Sequence, residues 1–85
     1  MGLFALGQTV STRGALETGI NLLPLLARHA RGDWGDLGKS DKQANVDAIQ
    51  YGDRILSAYN IDGHKFYVIT ESDRSSTCVL LANEY

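Results

Sequence analysis

The sequence predicts an α+β domain: an N-terminal strand, two or three helices, then a three-stranded antiparallel β-meander with the helices on one face. Three observations carry this. Apolar residues recur at helical spacing through the middle of the chain, the period changes to two after Arg54, and Asp62-Gly63 separates two β-branched, aromatic runs by only two residues. Eighty-five residues, 44% apolar and 21% charged with a single proline, make one small domain over 1–85. At this size one core is only marginally sufficient without metal, disulfide or association.

Taken in order, residues 3–11 (LFALGQTVS) are apolar and β-branched and predict the first strand. Thr12 or Ser11 then caps a brief helix through GALETGI, interrupted by Gly19. Asn21 caps a second helix, LLPLLARHAR, with Pro24 early enough that its missing amide breaks no helical bond, and Gly32 ends it. Arg28, His29 and Arg31 fall in its last turn, where the helix dipole favours positive charge. Ser40 and Gln43 form an S-x-x-Q capping box for a third helix, DKQANVDAIQY, closed by Gly52. The glycine-rich connection GDWGDLG carries the only tryptophan, Trp34, which is expected to fold back onto the core.

Asp62-Gly63 reads as a type I′ turn, so the hairpin register sets Ile61 against His64, Tyr59 against Phe66, Leu56 against Ile69 and Arg54 against Glu71. After the turn SDRS, STCVLLA is the third strand of the meander. Alternation puts Leu56, Ala58, Tyr67 and Ile69 on one face and Ile55, Tyr59, Phe66 and Val68 on the other. Both faces are apolar. The helices are expected on one, and the first strand, a partner protein or a second copy of the chain on the other.

The formal charge is −2 with both signs mixed along the chain, which argues against a strong grip on nucleic-acid phosphates. Cys78 is the only cysteine and sits in an apolar run, so no internal disulfide forms and a core thiol is expected. The opening MGLFALG has no basic leader, and no segment approaches the ~20 apolar residues of a membrane helix. A cytoplasmic protein is therefore expected. No zinc, EF-hand, phosphate-loop or dinucleotide pattern is present, so neither metal nor cofactor is expected.

The residues with chemistry fall in two clusters. In RHARGDWGD, His29 shares a helical stripe with Leu22, Leu25 and Leu26 and reads as a core or boundary histidine bonded to Asp33, Asp36 or backbone. In ITESDRS, Glu71 faces Arg54 across the hairpin, continued by Asp73 and Arg74. Asn45 lies on the inward side of the third helix and needs partners, which the GDWGD loop is expected to supply.

The stretches GALETG, RHARGDWGD, GDRILSAY and ITESDRSST together resemble a group of small bacterial proteins encoded on plasmids and integrated mobile elements, some bearing the label of a type I restriction-modification subunit. The resemblance spans Ala15 to Tyr85 and departs at Ala82-Asn83, where a proline is expected. A methyltransferase subunit needs a far larger cofactor fold, so the label does not carry over. The resemblance implies context: accessory genes of mobile elements protect the element from host defences or regulate its maintenance. It makes Arg28, His29, Asp33, Trp34, Asn45, Arg54, Glu71, Asp73 and Arg74 the candidate binding site.

The leading functional expectation is a non-enzymatic interaction protein of a mobile element, an inhibitor or modulator of a host nucleic-acid-directed defence complex. The alternative is a small metal-independent nuclease or toxin, with His29 and Glu71 as acid and base and Arg54 or Arg74 on the phosphate. A further alternative is a maintenance regulator touching DNA through Arg13, Arg28 and Arg31. A homodimer, formed through the uncovered sheet face or its edge, is also expected.

Overall fold

Two residues with positive φ, Asp62 (48°) and Gly63 (79°), close the hairpin as its sequence requires. They join β2 (Ile55–Ile61) to β3 (His64–Thr70), with all four expected pairings in place: Ile61 with His64, Tyr59 with Phe66, Leu56 with Ile69, and, one step beyond the ladder, Arg54 with Glu71. The computed structural model describes residues 2–85. Before the hairpin come β1 (Gln8–Ser11), α1 (Arg13–Glu17), α2 (Leu23–Ala30) and α3 (Lys39–Tyr51); after it come β4 (Ser76–Leu81) and a 3-10 turn, Ala82–Glu84.

The molecule is α+β with three helices, but its sheet is four-stranded and mixed rather than a bare antiparallel meander. Strand order is β1-β4-β3-β2, with β1 parallel to β4 and the other pairs antiparallel. The expected strand over 3–11 shortens to 8–11. Leu3 N–H donates to the Ala30 carbonyl, and Phe4 turns inward against His29 and Trp34, which takes the residues before β1 out of the sheet. The first strand therefore extends the sheet at its edge instead of covering its second face.

Helix ends follow local chemistry with one exception. Thr12 caps α1, its hydroxyl accepting from Ala15 N–H. Asn21 Oδ1 accepts from Leu23 N–H one residue before the N-cap position itself, which Leu22 occupies. At the other end of α2, Gly32 (φ 87°) donates to the His29 carbonyl and Asp33 to that of Arg28, the paired bonds of a Schellman stop. The Ser40–Gln43 capping box does not form. Helix α3 begins at Lys39 with Gly38 as N-cap, which places Ser40 inside the first turn, and Gln43 bonds Asp47 instead.

The inner face of the sheet carries Tyr59, Phe66, Val68 and Val79, packed with Ala15 of α1 and Leu25 of α2. A second cluster joins Trp34, Ala48 of α3 and Ile55, with Phe4, Leu37 and Ile49 against it. Trp34 is 7% exposed, folded back as its size demands. Among the described residues the buried helix side chains pack on this inner side, and α3 only borders, at Leu56, the outer face, the one bearing Leu56, Ala58, Tyr67 and Ile69. The chain's end returns there, the Tyr85 ring meeting Tyr67 edge-on at 5.6 Å. Cys78, paired with Ile69, shares this outer face and is only partly buried, so it is not the core thiol expected; burial still raises its pKa. Among the described residues no helix is long and apolar enough to cross a membrane.

Candidate functional site

The two charged clusters separate into four arrangements. The first is a buried polar chain through the core. His29, fully buried on α2, meets Ser57 Oγ at Nδ1 (2.5 Å) and Thr70 Oγ1 at Nε2 (2.9 Å). Thr70 in turn meets Thr77 Oγ1 at 2.6 Å, and Thr77 donates to the Leu6 carbonyl at 2.7 Å.

Proton counting orients the whole chain. A carbonyl only accepts, so Thr77 gives its single hydroxyl proton to Leu6 and must accept from Thr70. Thr70, its proton spent, accepts from His29 Nε2–H. Nδ1 then carries the lone pair and accepts from Ser57. Burial pushes the His29 pKa down to about 4, so the ring is neutral at physiological pH. The expected bond to Asp33, Asp36 or backbone is absent; the partners are hydroxyls on the inner positions of three strands. Ser57, Thr70 and Thr77 escaped the sequence reading; the signal that could have found them is a polar residue at an inward position of each alternating strand, which needs a buried polar partner.

The second arrangement seals one sheet edge. On β2 the outward-pointing backbone belongs to Leu56, Ala58 and Asn60. Asn45 donates from Nδ2 to the Leu56 carbonyl (2.7 Å) and accepts Leu56 N–H at Oδ1 (3.1 Å), imitating a strand with one side chain. The GDWGD loop continues the seal: Ala58 N–H donates to the Trp34 carbonyl (3.1 Å), Asp36 N–H to the Ala58 carbonyl (2.6 Å), and Asn60 N–H to Asp36 Oδ2 (2.9 Å). Asn45 thus finds its partners on β2 and not on the loop, because both it and the loop pair with the same strand edge.

Arg28 and Asp33 hold this loop in shape. Arg28 Nε and Nη2 bind the two Asp33 carboxylate oxygens at 2.7 and 3.3 Å, and the guanidinium lies 4.4 Å over the Tyr59 ring, whose hydroxyl donates to the Asp33 carbonyl. Hydrogen bonding to Arg28 holds the Asp33 carboxyl below its ordinary value and raises Arg28 in return. Arg31 approaches Asp33 only to 4.0 Å.

Third, Arg74 is turned inward as a clasp. Its Nη1 donates to the carbonyls of Asp53, Glu71 and Ser72, its Nη2 to that of Ala48 at 2.9 Å, and Cζ lies 5.8 Å from the Phe4 ring. Asp73 beside it accepts Ser75 N–H to close the turn, and hydrogen bonding from the Ser75 side chain, then from its backbone, lowers the Asp73 pKa.

The fourth arrangement lies on the outer face. Arg54 Nη2 donates to Glu71 Oε1 at 3.1 Å, with Nη1 3.5 Å from the Tyr85 hydroxyl. Lys65 Nζ sits 5.6 Å over Tyr67. Tyr67, Tyr85 and Lys65 escaped the sequence reading, since only the returning chain end places Tyr85 between Tyr67 and Arg54.

The structure therefore brings Arg28, Asp33, Trp34 and Asn45 together along the β2 edge, with His29 beneath them. It links Arg74 to that group through Phe4, and leaves Arg54 and Glu71 on the other side of the sheet. The convergence required of a His29–Glu71 acid-base pair does not occur: Thr70, which binds His29, and Glu71, its neighbour, point to opposite faces. His29 is also sealed from any substrate, and Arg74 is committed to backbone carbonyls. No group of His, Cys, Asp and Glu among the described residues is arranged to hold a metal ion. No protein-family model, curated protein or solved structure matches the chain.

Proposed function

We propose that the protein is a non-enzymatic interaction module, an accessory factor of a mobile element that inhibits or modulates a host nucleic-acid-directed defence complex by occupying a protein surface. The observation that carries the interaction reading is the outer sheet face. The helix side chains among the described residues bury themselves on the opposite face, and the accessible groups here are Tyr67, Tyr85, Leu56, Arg54 and Lys65. Ala58, Ile69 and Leu80 at the centre of the outer face are already buried, so what it offers a partner is tyrosine and arginine beside Leu56, and tyrosine and arginine are residue types enriched where proteins bury one another. The polar residues of the inner face and of the sealed edge, by contrast, are occupied within the fold, with no buried side-chain nitrogen or oxygen lacking a partner among the described residues. The host-defence target rests on the resemblance to mobile-element proteins.

The test is affinity capture from a host-range bacterial lysate with quantitative mass spectrometry, comparing the wild type with the exposed-face variant Tyr67→Ala/Tyr85→Ala. One nucleic-acid-directed defence complex should be enriched on the wild type and reduced by about tenfold or more on the variant, the loss of one or two aromatic anchors. Equal recovery on both, or no complex on either, overturns the reading.

A further inference from the structure

We propose that two copies of this chain pair antiparallel along the free edge of β1, centred on Val10, and so join two four-stranded sheets into one. The two edges of the sheet are treated in opposite ways. On β2, Asn45, Trp34 and Asp36 occupy the outward backbone groups of Leu56 and Ala58 and the Asn60 N–H. On β1 no described residue does so. Gln8 N–H donates to Ser75 and Thr12 N–H to Val79, each at 3.0 Å, so alternate residues of this parallel pair serve β4. Thr9 and Ser11 point the other way, and their N–H and C=O groups have no partner among the described residues.

The usual protections of an edge are missing as well. β1 has no proline, and no charged residue occurs anywhere in residues 1–12. The helical layer also reaches past this edge. A groove of about 390 Å³ runs beside β1, lined by Thr9, Ser11, Leu16, Leu22, Leu23 and Leu26. Leu16 is 61% and Leu23 71% exposed, a geometry that fits one more strand beneath the helices than the chain supplies.

A second copy fits that place by its own symmetry. The two outward residues flank Val10 evenly, so antiparallel pairing sets Thr9 against the partner's Ser11 and Ser11 against the partner's Thr9. Both are closely bonded pairs that exchange N–H and C=O, and Val10 meets its own counterpart between them. The two-fold axis is then normal to the sheet, which keeps both helical layers on one side and brings Leu16 and Leu23 of the two copies towards each other. Each chain is acidic, with a formal charge of −2, yet the apposed stretches are uncharged, so like charges do not meet at the seam. This pairing is independent of the function proposed for the outer face, which it leaves open in both copies.

Light scattering across a dilution series tests it. The wild type should show twice the 9.3 kDa chain mass at high concentration. Thr9→Pro removes only an N–H that the internal ladder does not use, and Leu23→Glu places an acid in the first turn of α2, where it is tolerated. Both should melt as the wild type does at dilutions where all three are monomeric, yet dissociate at concentrations about tenfold higher or more. Val10→Cys in a Cys78→Ser background should form a disulfide-linked dimer under mild oxidation, because residue 10 faces itself across the axis. Tyr67→Ala/Tyr85→Ala should leave the mass unchanged, which separates this pairing from the proposed binding face. A wild type that stays monomeric throughout, including one that takes up a foreign extended peptide on β1, overturns the pairing. So does a dimer that Thr9→Pro and Leu23→Glu leave equally tight.

Discussion

At the scale of single residues, His29 shows how burial decides between chemistry and architecture. An imidazole between Ser57 and Thr70 has the atoms of a catalytic relay, but no substrate reaches it and its pKa is depressed to about 4 by desolvation. The unfolded chain takes up a proton near pH 6.5, whereas the folded chain does so only near 4. Stability is therefore fully present above pH 6.5 and falls as the pH drops from 6.5 to 4, by roughly 3 kcal/mol from this group. Urea melts of the wild type and His29→Gln at pH 7.5, 5.5 and 4.5 should show that component of the slope in the wild type alone. Nitrogen NMR of the ring should find the proton on Nε2, the tautomer dictated by the Thr70–Thr77–Leu6 chain; a proton on Nδ1 would contradict it. That His29 lay on the apolar stripe of α2 was legible from spacing. Its partners were not, because Ser57, Thr70 and Thr77 are distant in sequence and converge only when three strands align.

At the scale of elements, the GDWGD loop and Asn45 act as a surrogate strand along β2. Loop glycines serve that end directly: Gly35 (φ 76°) lies so close to β2 that a Cβ there would overlap the Ala58 carbonyl oxygen and the Tyr59 ring. Gly35→Ala should cost about 2 kcal/mol or more and is checked by chemical denaturation. Asn45→Ala should cost on the order of 1 to 3 kcal/mol, leaving Leu56 N–H and C=O unpaired, and should speed hydrogen exchange of the Leu56 amide before that of the Val68 amide in the middle of the sheet. Unaltered exchange at Leu56 would mean that the side chain is not its protecting group. Helix ends and the hairpin register were readable because they depend on residues two to six apart. The Ser40–Gln43 box failed because Gly38 supplied an equally local start two residues earlier, with its carbonyl accepting Lys42 N–H.

At the scale of the whole molecule, Arg74 connects what the chain separates. One guanidinium gathers carbonyls from the end of α3, the α3–β2 connection and the β3–β4 turn, and lies near Phe4 of the N-terminal segment. Arg74 itself has φ 61°, a conformation glycine would adopt more easily. If the clasp outweighs that strain, Arg74→Gly and Arg74→Ala should both lower stability by on the order of 2 kcal/mol or more in thermal or urea melts. Arg74→Lys should recover little, since one ammonium cannot span the carbonyls reached by Nη1 and Nη2. A Gly variant more stable than the wild type would show strain to be the larger effect.

By itself the sequence determined the α+β class, the hairpin and its register, the inward turn of Trp34 and the Arg54–Glu71 pair, because each rests on periodicity or on contacts closed by a short turn. Only the tertiary structure decided that β1 runs parallel beside β4, that His29 and Glu71 lie on opposite sides of the sheet, and that one edge is sealed while the other stands open. Those outcomes depend on which distant segments share the space around the core, a competition among burial, backbone pairing and chain connection that no local spacing records.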